Sequence, residues 1–412
     1  MISKKAEISS SLGYNSLMKI GIIGQGAGGI FTAIALKKEN PLLDIYLIDQ
    51  NKIFGKKLLA TGNGRCNLAN SVSELKHYNS KDTLRIYASF QSNAQVAFWK
   101  DLGILTREIN GLVYPYSLSA KNFVETLYSL VQTYKINLLN EVTVIDYKAK
   151  DVIKVKTNWK SFDFDKLIIS CGGRSQKNLG SDGSLFSLLK KKGYDIAYLK
   201  PGLCPLKLKE ETITIENERL KCKISLEIDS KIHYIEEGEV IFKNKGIGGI
   251  CILNASSVLN RLEKYSQANL YLDLIPFLPL EIIKEEFIRL NKTSKFSFLN
   301  GIFTKRISEY IYKRCGLKGK TQFSEDDVIK IATLVKHFPF EITETFGFDQ
   351  SQVTIGGIKY SNLTSNLEST REKGVFFVGE VLDGDGLCGG YNLMFAFASA
   401  HLVTNYLLKK AL

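Results

Sequence analysis

Apolar residues gather in short runs near both ends of the chain, and most of these runs stop at a glycine. KIGIIG (19–24) has the unbroken apolar character of a strand buried on both faces. GAGGIFTAIALKKEN follows at helical spacing, with Ile30, Ile34 and Ala35 on its apolar face, and DIYLID (44–49) reads as a second strand. Together these segments make a βαβ unit. Residues 70–135 read as mainly helical, interrupted by a hairpin or loop at GLVYPYS (111–117). NEVTVIDYKAKDVIKVKTN (140–158) alternates apolar and polar residues in two segments, the pattern of an antiparallel pair, and DKLIISCGG (165–173) is another buried strand closing on two glycines.

Beyond Pro201 the period changes. Residues 201–252 hold short alternating segments such as KISLEIDS and GEVIFKN, with a glycine-rich return at KGIGG (245–249), which predicts a small antiparallel sheet or barrel. Residues 253–335 turn helical: SSVLNRLEKY, EIIKEEFIRLN, FLNGIFTKRISEYIYKRC and SEDDVIKIATLVKHF. Ser324 is a natural N-cap for the last of these, with three acids in its first turn. QVTIGGIKY (352–360) and GVFFVGE (374–380) return to strand character, and a closing helix runs from about Tyr391 to Leu408.

The fold class expected is therefore α/β: a discontinuous Rossmann-like domain with an inserted antiparallel β-barrel-like domain and a helical subdomain. The expected boundaries are 1–198 for the first part of the Rossmann-like domain, with 1–18 as a tail and Met18 an alternative first residue. They continue with 199–252 for the β insert, 253–335 for the helical insert, 336–352 for a return through the β insert and 353–412 for the second part.

The chemistry is concentrated in glycine turns. Gly24-Gln25-Gly26-Ala27-Gly28-Gly29 fits G-x-G-x-x-G between a strand and a helix, and Asp49 ends the next strand twenty residues after Gly29. Gly24 permits a tight turn, Gly26 lets backbone approach a pyrophosphate, Gly29 allows close packing, and the helix N-terminus is the positive pole. Asp49 is placed to accept from a ribose hydroxyl and would repel a 2′-phosphate, so NADP is disfavoured at this turn while NAD and FAD remain.

Three further features favour FAD. GKKLLATGNGRCNLAN (55–70) follows Asp49 directly; Lys56, Lys57 and Arg65 can approach phosphates or ribose, while Leu58, Leu59 and Cys66 anchor the loop. It is not a Walker phosphate loop, because no G-K-[ST] follows its glycines. Ser170-Cys171-Gly172-Gly173 is a second strand-ending turn. GVFFVGEVLDGDGLCGGYNLMFAFASAHLVTNYLL (374–408) is a strand, an acidic glycine loop and a helix. Gly389 and Gly390 clear space at that helix's start, where N–H groups of Tyr391, Asn392 and Leu393 suit the edge of a flavin that gains negative charge on reduction. Glu380 or Asp383 is placed to hold the ribityl chain or a water bridging to phosphate.

From Lys19 onward the chain resembles the BaiN-like, or aminoacetone-oxidase-family, FAD-binding flavoproteins. The likeness rests on IGIIGQGAGG, GKKLLATGNGRCNLAN, NGLVYPYSLSA, ISCGGRS…GSDG, PGLCPLKL, GEVIFKNKGIGG, QVTIGGI and GVFFVGEVLDGDGLCGGYNL. It implies an FAD domain built from both chain ends and carries a cofactor role onto Gly24, Gly26, Gly29, Asp49, Lys57, Gly64, Arg65, Glu380, Asp383, Asn392 and Leu393. GNGRCN stands where the family has GGGRCN, and SCGG where it has ATGG. Turn geometry and resemblance together extend the expected cofactor contacts to Ala27, Gly28, Gln50, Leu58, Asn63, Cys66, Asn67, Val142, Cys171, Gly172, Gly173, Gly379, Gly390 and Tyr391.

Composition narrows the function classes. The 412 residues are 44% apolar and 24% charged, the ordinary globular range, without an apolar run long enough to span a membrane. MISKKAEISSSLGYNSLMK lacks the apolar core of a secretory signal. Seven scattered cysteines without CxxC or metal-ligand spacing suggest reduced thiols in the cytoplasm and no metal. The net charge of +13 is spread over dispersed lysines, so nucleic acid is not the first expectation. Leu299, Ile302, Phe303, Ile307, Ile311 and Cys315 read as the buried face of the basic stretch 295–320, and the four histidines and a Cys66–Cys388 pair read as structural.

The activity expected is hydride transfer between flavin and a small organic substrate of amine or conjugated enone type, with NAD(P)H a transient donor because no second G-x-G-x-x-G stands between a strand and a helix. The alternatives are an RNA-modifying flavoprotein with the fold logic of folate-dependent tRNA methyltransferases and a flavin-binding protein without turnover. No catalytic acid or base is legible.

Overall fold

A computed structural model describes residues 18–72, 77–294 and 297–411. The expected tail, apart from Met18, lies outside the described residues. The chain opens with β1 (Lys19–Ile23), α1 (Ala27–Glu39), β2 (Asp44–Ile48), the single-turn α2 (Lys56–Leu59) and β3 (Ala69–Asn70). Next come α3 (Lys81–Ala88), α4 (Ser92–Asp101), the hairpin β4 (Thr106–Ile109) and β5 (Leu112–Pro115), α5 (Ala120–Thr133) and β6 (Asn137–Leu139). A meander of β7 (Val144–Ala149), β8 (Ile153–Thr157) and β9 (Ser161–Phe164) leads into β10 (Lys166–Ile169) and α6 (Ser184–Lys191). The middle of the chain holds β11 (Lys200–Gly202), β12 (Leu206–Leu208), β13 (Arg219–Ile228), β14 (Lys231–Lys243), β15 (Gly246–Gly248) and α7 (Ile250–Arg261). It continues through β16 (Ala268–Asp273), α8 (Leu280–Thr293), α9 (Lys305–Arg314), α10 (Glu325–Lys336) and β17 (Phe338–Thr345). The last elements are β18 (Val353–Ile355), β19 (Val375–Phe377) and α11 (Tyr391–Ala411).

The first and last strands meet in one parallel sheet of order β19-β10-β1-β2-β6. β1 sits at its centre, which explains its unbroken apolar run: Ile20 and Ile22 are fully buried. One face carries α1 and α11, packed through an aromatic cluster. Phe397 lies 5.5 Å from Phe31 and 5.1 Å from Trp99, ring centre to ring centre. The other face carries the meander. Gly21 makes this possible, since a Cβ there would come within 2.6 Å of the Phe164 ring.

The expected β insert is a closed six-stranded barrel, β12-β15-β14-β13-β16-β17. Its strands do not respect the expected boundary, because β16 falls within the segment read as helical. ANLYLD alternates buried and half-buried residues and pairs with β13 and β17, contacts distant in sequence that no local period discloses. α7 also starts earlier than expected, at Ile250. The hairpin likewise starts upstream of GLVYPYS, turning at Asn110 and Gly111.

In the helical segment, Ser324 and Asp327 form a reciprocal capping box on α10. The stretch read as one helix from Phe298 is instead a 3₁₀ turn and then α9, capped by Thr304. The break leaves Ile302 exposed, while Leu299, Phe303, Ile307, Ile311 and Cys315 are buried as expected. This core is separate from the one around the parallel sheet. Among the described residues no helix is long and apolar enough to cross a membrane.

Phe397→Ala should cost about 3–5 kcal/mol in urea unfolding, because it empties the centre of the α1–α11 contact. Leu42→Ala, at a side chain 69% exposed, should change stability by less than about 0.5 kcal/mol. Similar midpoints for the two variants would contradict this account of the interface.

Candidate functional site

The glycine turn after β1 is shaped on two sides and open on a third. Gly24 has φ +111°, and a Cβ on it would lie 2.2 Å from the Ser170 carbonyl oxygen. A Cβ on Gly29 would lie 2.0 Å from the Gly24 carbonyl oxygen. Both positions exclude side chains for packing reasons alone. A Cβ on Gly26, by contrast, would meet nothing within 4 Å. Gly26 is the N-cap of α1, and no side chain caps that helix. An uncapped helix start beside open space offers backbone donors to an anion. This is the fit test for a pyrophosphate, and the turn passes it.

Asp49 is held rigidly where β2 ends. One carboxylate oxygen accepts the Gln25 N–H at 2.7 Å; the other accepts the Asn51 N–H at 2.7 Å and its amide at 2.8 Å. Gln25 is itself fixed by its amide, which donates to the Leu47 carbonyl and to Asn140. A shallow, solvent-open cleft lies beside Asp49, lined also by Gly24, Gln50, Val142, Cys171 and Gly173 from the expected set. Its far wall is Gly180 and Asp182 to Leu185, around the GSDG turn. Gln50 spans the two walls, donating to Asp182 at 3.2 Å.

The two ends of the chain meet here. Lys57 Nζ lies 2.8 Å from Glu380 Oε2, a contact between residues 323 apart in sequence. Glu380 Oε1 accepts the Thr354 N–H at 2.8 Å. Thr354 in turn accepts the N–H of Arg174, so the turn after β10 is tied to the same carboxylate. Gly173 permits this approach, because a Cβ there would collide with Thr354 at 2.2 Å. The Asn67 amide, oriented to satisfy its neighbours, donates to the Ala69 and Val113 carbonyls and accepts the Gly390 N–H. Gly389 and Gly390, at φ +131° and +94°, bring the chain into the first turn of α11.

The expected contacts sort into two groups. Asn63, Gly64 and Arg65 are exposed on the loop, and a Cβ on Gly64 would meet open space. Asn63 takes a positive φ of 53°, which an asparagine tolerates where the family has glycine. Ala27 and Leu393 are half-buried at their helix starts. Gly28, in the first turn of α1, faces Ser170 and Val378. Gly172, at φ +73°, faces Ser181, and the Gly379 N–H donates to the Ser399 hydroxyl.

Several side chains instead serve the scaffold. Leu58 and Cys66 are buried beneath the loop and cannot present side chains to a ligand. Burial pushes the Cys66 thiol up to about 12. Asn392 clasps the acidic loop, accepting the Gly386 N–H and donating to the Gly386 and Leu387 carbonyls. Tyr391 donates to the Val72 carbonyl and stacks on His77. His337 and His401 stack on Tyr271 and Phe90. The Cys171 and Cys388 thiols are also raised by burial, to about 12 and about 11, so neither is a thiolate at neutral pH.

Sequence reasoning missed a charged contact between the acidic loop and the barrel half. Asp385, on the loop before α11, pairs with Arg261 at the end of α7. Its side chain is 1% exposed, and its Oδ1 has no hydrogen-bond partner among the described residues. Burial pushes this carboxyl up to about 6, against the pull of Arg261, and Asp383 and Glu380 add to the rise. Cys388 of the same loop donates its N–H to Asn254 of α7 at 2.9 Å.

The model of the HI0933-like protein Rossmann domain matches residues 18–406. The chain is 30% identical to the 3-dehydro-bile acid delta(4,6)-reductase of Clostridium scindens, over 93% of this chain and 97% of that one. It is 26% identical to the ribosomal RNA dihydrouridine synthase of Haemophilus influenzae, over 92% and 96%. The solved 3-ketosteroid-delta4-(5alpha)-dehydrogenase of Rhodococcus jostii aligns with a TM-score of 0.48 at 11% identity, over 96% and 99%.

Two measurements check the site. Gly26→Ala should melt at the wild-type temperature and lose ligand affinity, whereas Gly29→Ala should lose stability outright; equal melting losses would refute the distinction. For Asp385, a carboxyl raised when folded binds its proton more tightly in the folded state, so stability falls as pH rises through about 6. The melting temperature of the wild type relative to Asp385→Asn should therefore drop between about pH 4 and about pH 6. Parallel profiles would contradict that.

The glycine turn on β1, the fixed carboxylate on β2, the joined chain ends and the match over residues 18–406 agree, and the chain belongs to the family of HI0933-like Rossmann-domain proteins.

Proposed function

We propose that this chain is an FAD-dependent oxidoreductase that reduces a carbon–carbon double bond conjugated with a carbonyl group. The observation that carries the reading is the junction of the 55–70 loop with the 379–393 segment through Lys57–Glu380 and Asn67–Gly390, beside an uncapped dinucleotide turn. FAD, when bound, supplies the hydride. The protein's part is to hold and tune it. The first turn of α1 receives pyrophosphate, and Asp49 presents a fixed acceptor to ribose. The start of α11 sets a positive dipole end where reduction leaves negative charge. Lys57, Gly64, Arg65, Glu380 and the backbone of residues 390–393 complete the cradle.

The relatives' names support the choice of an enone over an amine. A delta(4,6) bile acid bearing a 3-oxo group and the uracil ring each contain a double bond conjugated with a carbonyl. Reduction of either adds hydride at the β carbon and a proton at the α carbon. NAD(P)H is the proposed reductant, visiting the flavin transiently. Seven free thiols fit a reducing compartment, and a cytoplasmic location is part of the proposal. The accompanying domain division keeps the sequence-derived boundaries but assigns β16 to the barrel.

A second reading, in which the double bond belongs to a uracil in RNA, is favoured by where the charge lies. Residues 1–200 hold 28 of the 55 basic residues and only 16 of the 42 acidic ones, so nearly all of the excess sits in the first half of the chain. The helical insert, residues 253–335, holds 13 basic and 9 acidic residues, and its excess is offset by acidic residues elsewhere in the second half.

The purified protein should be yellow and release FAD. NADH or NADPH should bleach it anaerobically, and a conjugated enone or a uridine-containing RNA should reoxidise it far faster than a simple amine-derived acceptor. A protein that cannot be loaded with FAD, or whose reduced flavin neither acceptor reoxidises, would defeat the proposal.

A further inference from the structure

Beside Arg65 of the cofactor loop, the β4–β5 hairpin carries a cation and rings with no assigned task. Arg107 on β4 lies directly across from Tyr114 on β5, so the two side chains share a face. Tyr116, two residues on, projects to that same face. The Arg107 guanidinium lies 3.9 Å from the centre of the Tyr116 ring, and the Arg65 guanidinium lies 5.8 Å from that of Tyr114. The order along the face is thus Arg65, Tyr114, Arg107, Tyr116. Glu108 alternates to the opposite face of its strand.

Three observations set this row apart from an ordinary solvated surface. Among the described residues, neither guanidinium forms an ion pair or a hydrogen bond, and Arg107 Nε is buried without a partner. Tyr116 and its neighbour Leu105 are 58% and 60% exposed, yet the Tyr116 N–H is pinned to the Leu105 carbonyl. The hairpin is also continuous with the GRCN loop, because Ala69 and Asn70 pair with Val113 and Leu112 of β5. Tyr114 is only 7% exposed and acts as a buried spacer beside Arg65, so the surface offers two guanidinium groups and one open ring, Tyr116, to a chain of phosphates and bases. Guanidinium groups take phosphates, and an exposed tyrosine backed by arginine gives a base a face on which to stack.

We infer that the Arg65–Tyr114–Arg107–Tyr116 row is the docking surface for single-stranded RNA that delivers a base to the flavin pocket. The inference rests on the RNA reading of the substrate. Arg65 and Arg107 place two cations without ion-pair partners among the described residues along this face, and that local charge is the complementarity that argues for an anionic polymer.

The test uses the FAD-loaded full chain and a fluorescein-labelled, uridine-rich single-stranded RNA, read by anisotropy over a range of salt. Arg65 is left unchanged because it also belongs to the cofactor loop. Wild-type affinity should fall steeply with salt. Arg107→Gln and Tyr116→Ser should each weaken binding about tenfold or more, and Arg107→Gln should lower the salt slope by about one. Flavin content and NADPH-driven reduction of a free enone should stay at wild-type values in both, and Tyr116→Phe, which keeps the ring, should restore affinity to within about twofold. Wild-type binding by both Arg107→Gln and Tyr116→Ser, or no binding by the wild type at low salt, would overturn the inference. Loss of enone turnover with RNA binding intact would instead count against the reductase reading.

Discussion

Pairing of β19 with β10, itself paired with β1, brings the last segment of the chain into the sheet of its first strand, and the candidate site depends on that juxtaposition. The forces that secure it are apolar. Val375, Phe376 and Phe377 are each at most 1% exposed, and burial of such side chains stabilises by about 1.5–3 kcal/mol apiece. The Lys57–Glu380 pair is about a quarter exposed on both sides, and a pair of that kind contributes about 1 kcal/mol or less. Packing therefore closes the fold, and the ion pair sets the register of two loops already close together. The chemistry can occupy polar, glycine-rich segments because the sheet and the α1–α11 contact carry the stability.

The electrostatics of the site follow from backbone more than from side chains. Two helix starts, those of α1 and α11, are entered through glycines, and their dipoles present positive ends. The acids nearby are committed: Asp49 to three N–H donors, Glu380 to Lys57 and Thr354, Asp385 to Arg261. The buried thiols stay protonated. Asp385 is the exception in kind, a buried carboxyl with one oxygen unpartnered, placed where the barrel half touches the acidic loop. Through it, and through Asn254 and Cys388, the barrel half is joined to the loop that enters α11.

Much of this was legible in the sequence because glycine spacing, strand runs and terminal acids are local signals. The turn at 24–29 and the carboxylate at 49 follow from them, whereas the approach of the 55–70 loop to the 380–393 segment was what the family resemblance implied. β16 was not legible, since a six-residue alternation between helices shows its partners only when the barrel closes. Nor could sequence separate loop from anchor: Cys66 lies in the most polar part of GNGRCN yet points wholly inward, and Asn392 is spent on the loop it follows. The partners of Asp49 were hidden for a related reason, because Gln25 occupies a variable position of the glycine motif and acts mainly through its N–H. The Arg261–Asp385 contact joins residues 124 apart through a helix end and a loop, and no periodicity encodes such a meeting.

The central claim is that both ends of the chain grip one extended cofactor. Amide hydrogen exchange of the apo and FAD-loaded protein tests it most directly. The account predicts that loading slows exchange together at residues 24–30, 55–70 and 386–394. Protection confined to the first of these segments, with the C-terminal one unchanged, would contradict it.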